Sequence, residues 1–161
     1  MKKVTLSIVA LAAVLSSVSP SHAGFYAGLN TSLFSKLKAK PVKLSGHQDI
    51  LNFGYNFPWF IPVEVEAEYS LGKYEKQKTN SYGLVGHFFL PFPIVSPYLG
   101  YGLGRINLKD SKAGSQGMNQ FVAGVKYKIP VAPIAVSTEY RYIMADKVDL
   151  YQLLLGVKYM F

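Results

Sequence analysis

Along most of this chain apolar and polar residues alternate one by one. The clearest case is the C-terminal segment, residues 150–161 (LYQLLLGVKYMF). Every second residue back from Phe161 gives Tyr159, Val157, Leu155, Leu153 and Tyr151, an unbroken apolar and aromatic face. Met160, Lys158, Gly156, Leu154, Gln152 and Leu150 make a mixed opposite face. Successive side chains of a strand point to opposite sides. A strand needs this pattern when one side meets hydrocarbon and the other a polar interior.

Pro and Gly punctuation divides residues 24–161 into eight such segments, each close to the nine to eleven residues, roughly, of a tilted membrane-spanning strand. They are residues 24–34, 47–57, 62–71, 80–89, 97–106, 119–129, 133–144 and the C-terminal segment. The third places Val63, Val65, Ala67, Tyr69 and Leu71 on one face and Glu64, Glu66 and Glu68 on the other. The sixth separates Phe121, Ala123, Val125, Tyr127 and Ile129 from Gln120, Lys126 and Lys128. The seventh separates Ile134, Val136, Thr138, Tyr140 and Tyr142 from Ser137, Glu139 and Arg141. Gly100, Gly102 and Gly104 share a face assigned to the inside, and Gly86 is assigned outward.

The connections alternate in character. Residues 58–61, 91–96 and 130–132 are short and Pro-rich, whereas 35–46, 72–79 and 109–118 are longer, polar and rich in lysine. Tight turns on one side and longer loops on the other are the habit of membrane barrels, and an even strand count returns both termini to the periplasmic side. The sequence therefore predicts an all-β chain: an eight-stranded antiparallel up-and-down transmembrane β-barrel over residues 24–161. Tyrosines near strand ends on the apolar face argue against a soluble sandwich, because they make an interfacial girdle.

Residues 1–23 have the form of an export signal. Lys2 and Lys3 precede an apolar run, and Ser21-His22-Ala23 is a small-x-small cleavage site. The run is short for a membrane helix, so a cleavable signal peptide is the expectation and an uncleaved anchor the competing one. Its two lysines and lack of acids lower the formal charge of +8 by two on removal. The chain has no cysteine, which excludes disulfides, thiolate catalysis and cysteine metal sites.

Several motifs together resemble the small OmpA-type and opacity-protein-type outer-membrane barrels. They are GFYAGLN at 24–30, FGYNF at 53–57, VEVEAEY at 63–69, SPYLGYGLG at 96–104, FVAGVKYKI at 121–129, STEYRY at 137–142 and LLLGVKYMF at 153–161. The aromatic end, Tyr159 and Phe161, is similar to the assembly signal of such proteins. The resemblance implies an eight-stranded barrel in a Gram-negative outer membrane, reached through the periplasm with the barrel-assembly machinery. It implies structural, adhesive or antigenic roles rather than one function.

An eight-stranded barrel has room only for side chains. The expected interior holds Glu64, Glu66, Glu68, Lys126, Lys128, Glu139, Arg141 and Lys158. Buried charges must be paired, so these are read as a plug of salt bridges, with a gated ion path as the alternative. Catalysis has little support. His87 is placed mid-strand as a hydrogen-bonded interior residue. His47 has Ser45 and Asp49 nearby in sequence, but a triad is defined by geometry, not composition. Two scattered histidines make no metal site, and GYGLG lies in a strand, not in a phosphate loop. No catalytic residue, cofactor or metal is assigned.

The sharpest chemical feature is cationic. Lys36, Lys38, Lys40, Lys43, Lys73, Lys76, Lys78, Lys109 and Lys112 fall in the three polar connections. They are candidate contacts for polyanions, namely lipopolysaccharide phosphates around the barrel or acidic host glycans above it, against a rim that merely stays wet. Nucleic acid is not an expected partner at that location, and a monomer is expected. The alternatives are a lipid-modifying outer-membrane enzyme and a narrow ion-conducting porin.

Overall fold

The structure is a computed structural model that describes residues 24–39, 42–57, 62–75, 77–90, 92, 95–109, 114–146 and 148–161. Its strands are β1 (Phe25–Ala39), β2 (Val42–Phe57), β3 (Val63–Tyr74), β4 (Gln77–Phe89), β5 (Val95–Leu108), β6 (Gly114–Lys128), β7 (Ile134–Ala145) and β8 (Val148–Met160). Each pairs antiparallel with the next and β1 pairs with β8, closing the barrel and leaving no strand edge. The architecture is the one the alternation predicts. The expected signal segment, residues 1–23, lies outside the described residues.

The connections differ from expectation. Of the segments 35–46 and 72–79, read as long loops, residues 35–39, 42–46, 72–74 and 77–79 are strand. β1 runs on to Ala39 and β2 begins at Val42; β3 ends at Tyr74 and β4 begins at Gln77. Glu75 turns that second hairpin with φ at 48°, the left-handed conformation that tight hairpins need. Segment 109–118 shortens too, because β6 starts at Gly114. The Pro-rich gaps, such as that between Phe57 and Val63, are no longer than the lysine-containing one between Leu108 and Gly114. The lysine-rich stretches stay extended because they still alternate, now with lysine outward and Leu37, Leu44, Tyr74 and Thr79 inward.

One irregularity makes this possible in β1. Below it, Tyr26 and Asn30 point inward and Leu29 points outward. Register shifts between Ser32 and Phe34, where Leu33 is an extra outward residue. A bulge of one residue exchanges the faces of everything beyond it. Leu37 thereby enters the interior, only 1% exposed, while Lys36 faces out.

The interior is layered along the axis. Near the termini lie the charged groups. Above them Ser35, Gln48, Ser70, Ser81, Tyr74 and Gln152 form an uncharged hydrogen-bonded layer, with Tyr74 Oη donating to Gln48 Oε1 at 2.9 Å. Under the hairpin tips Leu37, Ile106, Leu108, Met118, Ile143, Val148 and Leu150 pack with Tyr74 as an apolar cap. Outside, Leu29, Leu51, Phe53, Leu84, Leu99, Leu103, Phe121 and Val157 are exposed as a hydrophobic band. Tyr69, Tyr82, Tyr127 and Tyr140 stand exposed among them.

Candidate functional site

Two arrangements carry chemistry: the charged interior and the basic hairpin rim. In the interior, parity brings side chains from six strands to one level. Arg141, fully buried, reaches Glu139 at 2.7 Å and Glu68 at 2.6 Å through Nη2, and lies 3.9 Å from Glu66. Lys158 meets Glu66 at 2.6 Å, and Lys126 pairs with Glu64. Neutral donors add to three of the carboxylates, while Glu64 Oε2 has no hydrogen-bond partner among the described residues. Tyr26 donates to Glu66 at 2.8 Å, Tyr98 to Glu139 at 2.6 Å, Asn30 to Glu139 at 3.2 Å and Gln120 to Glu68 at 3.0 Å. Charges taken from water are tolerable only with this density of partners.

Seven of the eight expected interior groups are in ion pairs. Lys128 is the exception: it ends β6, half-buried at the mouth nearest the termini, where it lines a cavity of about 290 Å³ with Glu64, Lys126 and Ser96. It makes no ion pair among the described residues, since at the strand end its ammonium reaches solvent.

The tyrosine donors depend on glycine. Tyr26 pairs with Gly54 across β1 and β2, and Tyr98 with Gly124 across β5 and β6. A Cβ on Gly54 would stand 2.4 Å from the Tyr26 ring, and one on Gly124 would stand 2.6 Å from the Tyr98 ring. Each ring therefore lies flat over bare backbone and aims its hydroxyl at the network.

His87 faces inward, as its parity requires, but without the hydrogen bonds expected of it. Neither ring nitrogen has a partner among the described residues, because its surroundings are the rings of Tyr98, at 5.1 Å, and Phe89, at 6.3 Å.

At the rim His47 does meet a serine, but not Ser45. Ser32, brought over by the β1 bulge, lies with Oγ 3.2 Å from Nδ1. On the other edge, Nε2 is 3.0 Å from Asp49 Oδ1 and 3.2 Å from Thr31 Oγ1, and Thr31 also donates to Asp49 at 2.7 Å. Ser32 is 6% exposed and its Oγ already accepts the Gln48 amide at 2.7 Å. The hydroxyl is thus enclosed and engaged, and the cluster knits β1 to β2.

The lysines divide into two groups. On β1 and β2, Lys36 lies over the Phe34 ring at 4.9 Å and Lys38 over the Tyr151 ring at 4.4 Å, with Asp149 as the register partner of Lys38 and Lys43 exposed opposite. On β3, β4 and the turn after β5, Lys73, Lys78 and Lys109 are exposed and make neither an ion pair nor a ring contact among the described residues. These are strand positions and a turn, not flexible loops. Lys40, Lys76 and Lys112 lie outside the described residues.

The family profile described as "Outer membrane protein beta-barrel domain" matches residues 4–161. The chain belongs to that family. This outer-membrane barrel accordingly resides in the Gram-negative outer membrane. Among solved structures it is similar to Neisserial surface protein A, at 20% identity and TM-score 0.73, covering 86% of this chain and 98% of that one. The N-terminal barrel of Pseudomonas aeruginosa OprF gives 19%, 0.61, 85% and 97%. Ail of Yersinia pestis, in complex with the heparin analogue sucrose octasulfate, gives 19%, 0.59, 85% and 97%. At these identities the likeness is one of fold. No curated protein matches by sequence.

Sequence reasoning did not single out Tyr26, Tyr98, Asn30 or Gln120 as partners of the carboxylates. The signal was available in part: Tyr26 and Asn30 share a parity with each other, opposite the apolar Phe25 and Leu29. What the sequence alone lacked was the register that sets each tyrosine against a glycine.

Proposed function

We propose that this barrel is a non-enzymatic surface protein whose basic hairpin rim engages anionic surfaces, either lipopolysaccharide phosphates or acidic glycans, in a structural or adhesive role. The observation that carries the reading is the division of charge. The interior carboxylates are ion-paired to internal cations and capped by an apolar layer, while the unpartnered lysines point outward at the other end. A filled and capped interior favours a plug over an ion path. The enclosed Ser32 hydroxyl favours the same choice over hydrolysis.

The test is retention of the purified barrel on immobilised heparin and on lipopolysaccharide at low and moderate salt. The parent should be retained and should elute as salt screens the lysines. A variant with Lys36, Lys38, Lys40 and Lys43 replaced by Gln, together with Lys73, Lys76 and Lys78, should elute earlier. Co-elution of parent and variant would refute the reading; conductance in planar bilayers, or altered lipid A in producing cells, would favour a pore or an enzyme.

The same proposal includes a signal peptide at 1–23, a monomer, and an assembly role for Tyr159 and Phe161. The rings of these two lie 5.4 Å apart, and the Phe161 amide bonds Phe25 O at 2.9 Å, where the barrel closes. Deleting Phe161 should lower the amount of barrel in outer membranes on immunoblots; unchanged levels would remove that role.

A further inference from the structure

We infer that His47, Lys73, Lys78 and Lys109 frame a binding site for the phosphomonoester headgroup of a glycolipid in the leaflet surrounding the barrel. The inference rests on the reading above and narrows it from a basic rim to one place and one ligand class.

The four residues form a row across β2, β3, β4 and the turn after β5. His47 is the register partner of Lys73, and Lys73 of Lys78. The Lys109 amide then bonds Lys78 O at 3.0 Å. Like charges directly opposite each other on a sheet destabilise it, and neither lysine of the Lys73–Lys78 pair is in an ion pair among the described residues. An anion bridging the ammoniums would convert that repulsion into charge-assisted contacts.

A depression of about 300 Å³ lies along the row, lined by all four residues with Leu71 and Asp49. The acid does not cancel it. Asp49 Oδ1 accepts from Thr31 and faces His47 Nε2 on the β1 side. Both His47 nitrogens are engaged, so the ring is a fixed wall and the three lysines are the donors. Glu75, the other nearby acid, sits at the exposed hairpin tip.

Depth selects the source of the phosphate. Below Lys73 on the same outward face of β3 come Leu71 and then Tyr69; Tyr69 is paired with Tyr82 on β4. Exposed tyrosines mark the membrane interface. At about 3.3 Å per residue and a tilt near 40°, the lysine row stands roughly 10 Å outside that girdle. That is the headgroup level of a lipid whose chains would descend over Leu71, Tyr69 and Tyr82. Lys36 and Lys38 lack this setting, being already laid on rings.

The experiment compares the full barrel in detergent micelles with K73Q/K78Q/K109Q and with K36Q/K38Q/K43Q. Each is first checked for the heat-dependent gel shift of a folded barrel. Native mass spectrometry then reads the fraction carrying lipid, using bisphosphorylated lipid A, the same lipid stripped of phosphate, and heparin or inorganic phosphate as competitors. The parent should prefer the phosphorylated lipid. K73Q/K78Q/K109Q should weaken that binding about tenfold and leave the stripped lipid unaffected. K36Q/K38Q/K43Q should weaken it clearly less than K73Q/K78Q/K109Q does.

Equal loss in both variants would overturn this site and leave the basic-rim reading intact. So would displacement by inorganic phosphate at matched phosphate concentration or by heparin at matched anionic charge, which would make the ligand soluble. No preference for phosphorylated lipid, and no effect of either variant, would overturn this inference while heparin retention by the parent still upheld the broader reading.

Discussion

In the half of the barrel that carries the termini, aliphatic and aromatic side chains face outward and charged ones inward. In the half that carries the hairpin tips, lysines face outward and Leu37, Ile106, Ile143, Val148 and Leu150 face inward. The same strands make both halves, so strand geometry cannot be the cause. The surroundings are. Where the outside is hydrocarbon, apolar groups gain nothing by turning inward, and the interior is free to hold a polar network. Where the outside is water, the hydrophobic effect returns and the interior resembles that of a small soluble barrel. One half is held by directional ion pairs and hydrogen bonds, the other by non-directional burial, and the two should fail differently.

The largest difference should appear on removing a single cation from the charged half. Arg141→Met leaves Glu68 and Glu139 buried without their partner and should cost about 3–5 kcal/mol. Urea unfolding of the lipid-reconstituted barrel, followed by the gel shift of unboiled samples, measures it. A cost under about 1 kcal/mol would mean that the network does not hold that half together.

The capped half should respond to lost volume rather than lost charge. Leu150, 0% exposed, is central to the apolar cap. Leu150→Ala should cost roughly 2–4 kcal/mol by the same assay, and the effect should be indifferent to salt. A strong salt dependence would show that the two halves are not energetically distinct.

A smaller effect should follow from crowding the tyrosine donor. Gly54→Ala puts a methyl against the Tyr26 ring and pushes its hydroxyl from Glu66, for about 1–3 kcal/mol. Combined with Tyr26→Phe, most of the second loss should vanish, because both changes break the same contact. Fully additive losses would place the damage elsewhere.

The smallest effect should come from the outward lysines. K73Q/K78Q should change stability by no more than about 0.5 kcal/mol, since these side chains are exposed and contact no packed group. A large loss would mean that they support the hairpin half rather than serve what lies outside it.

The membrane-facing alternation was legible because a period of two survives in every strand, down to the placement of Glu64, Glu66 and Glu68 inside. The hairpin half was not, for a physical reason. Lys36, Lys38 and Lys43 look like loop residues when hydrocarbon is the assumed surroundings, yet they alternate with Leu37 and Leu44 as strand residues do in water. The bulge at Leu33 is what keeps that alternation pointing the right way in β1, and bulges leave only a faint trace in sequence. For the candidate site, the lysines could be named from sequence, but not their rows. Register alone sets Lys73 against Lys78, and folding alone brings Ser32, rather than Ser45, to His47.

The pairing of β1 with β8 also sets a clock. Gln152 donates to Ser35 at 3.2 Å across 117 positions of chain, and contacts between these two strands run the length of the barrel. Every other strand pair can zip to its neighbour through a short connection, but this one must wait until the final strand has arrived. Bringing such distant partners together is the slow part of folding. Until that moment two unpaired strand edges stay open to pairing with other chains.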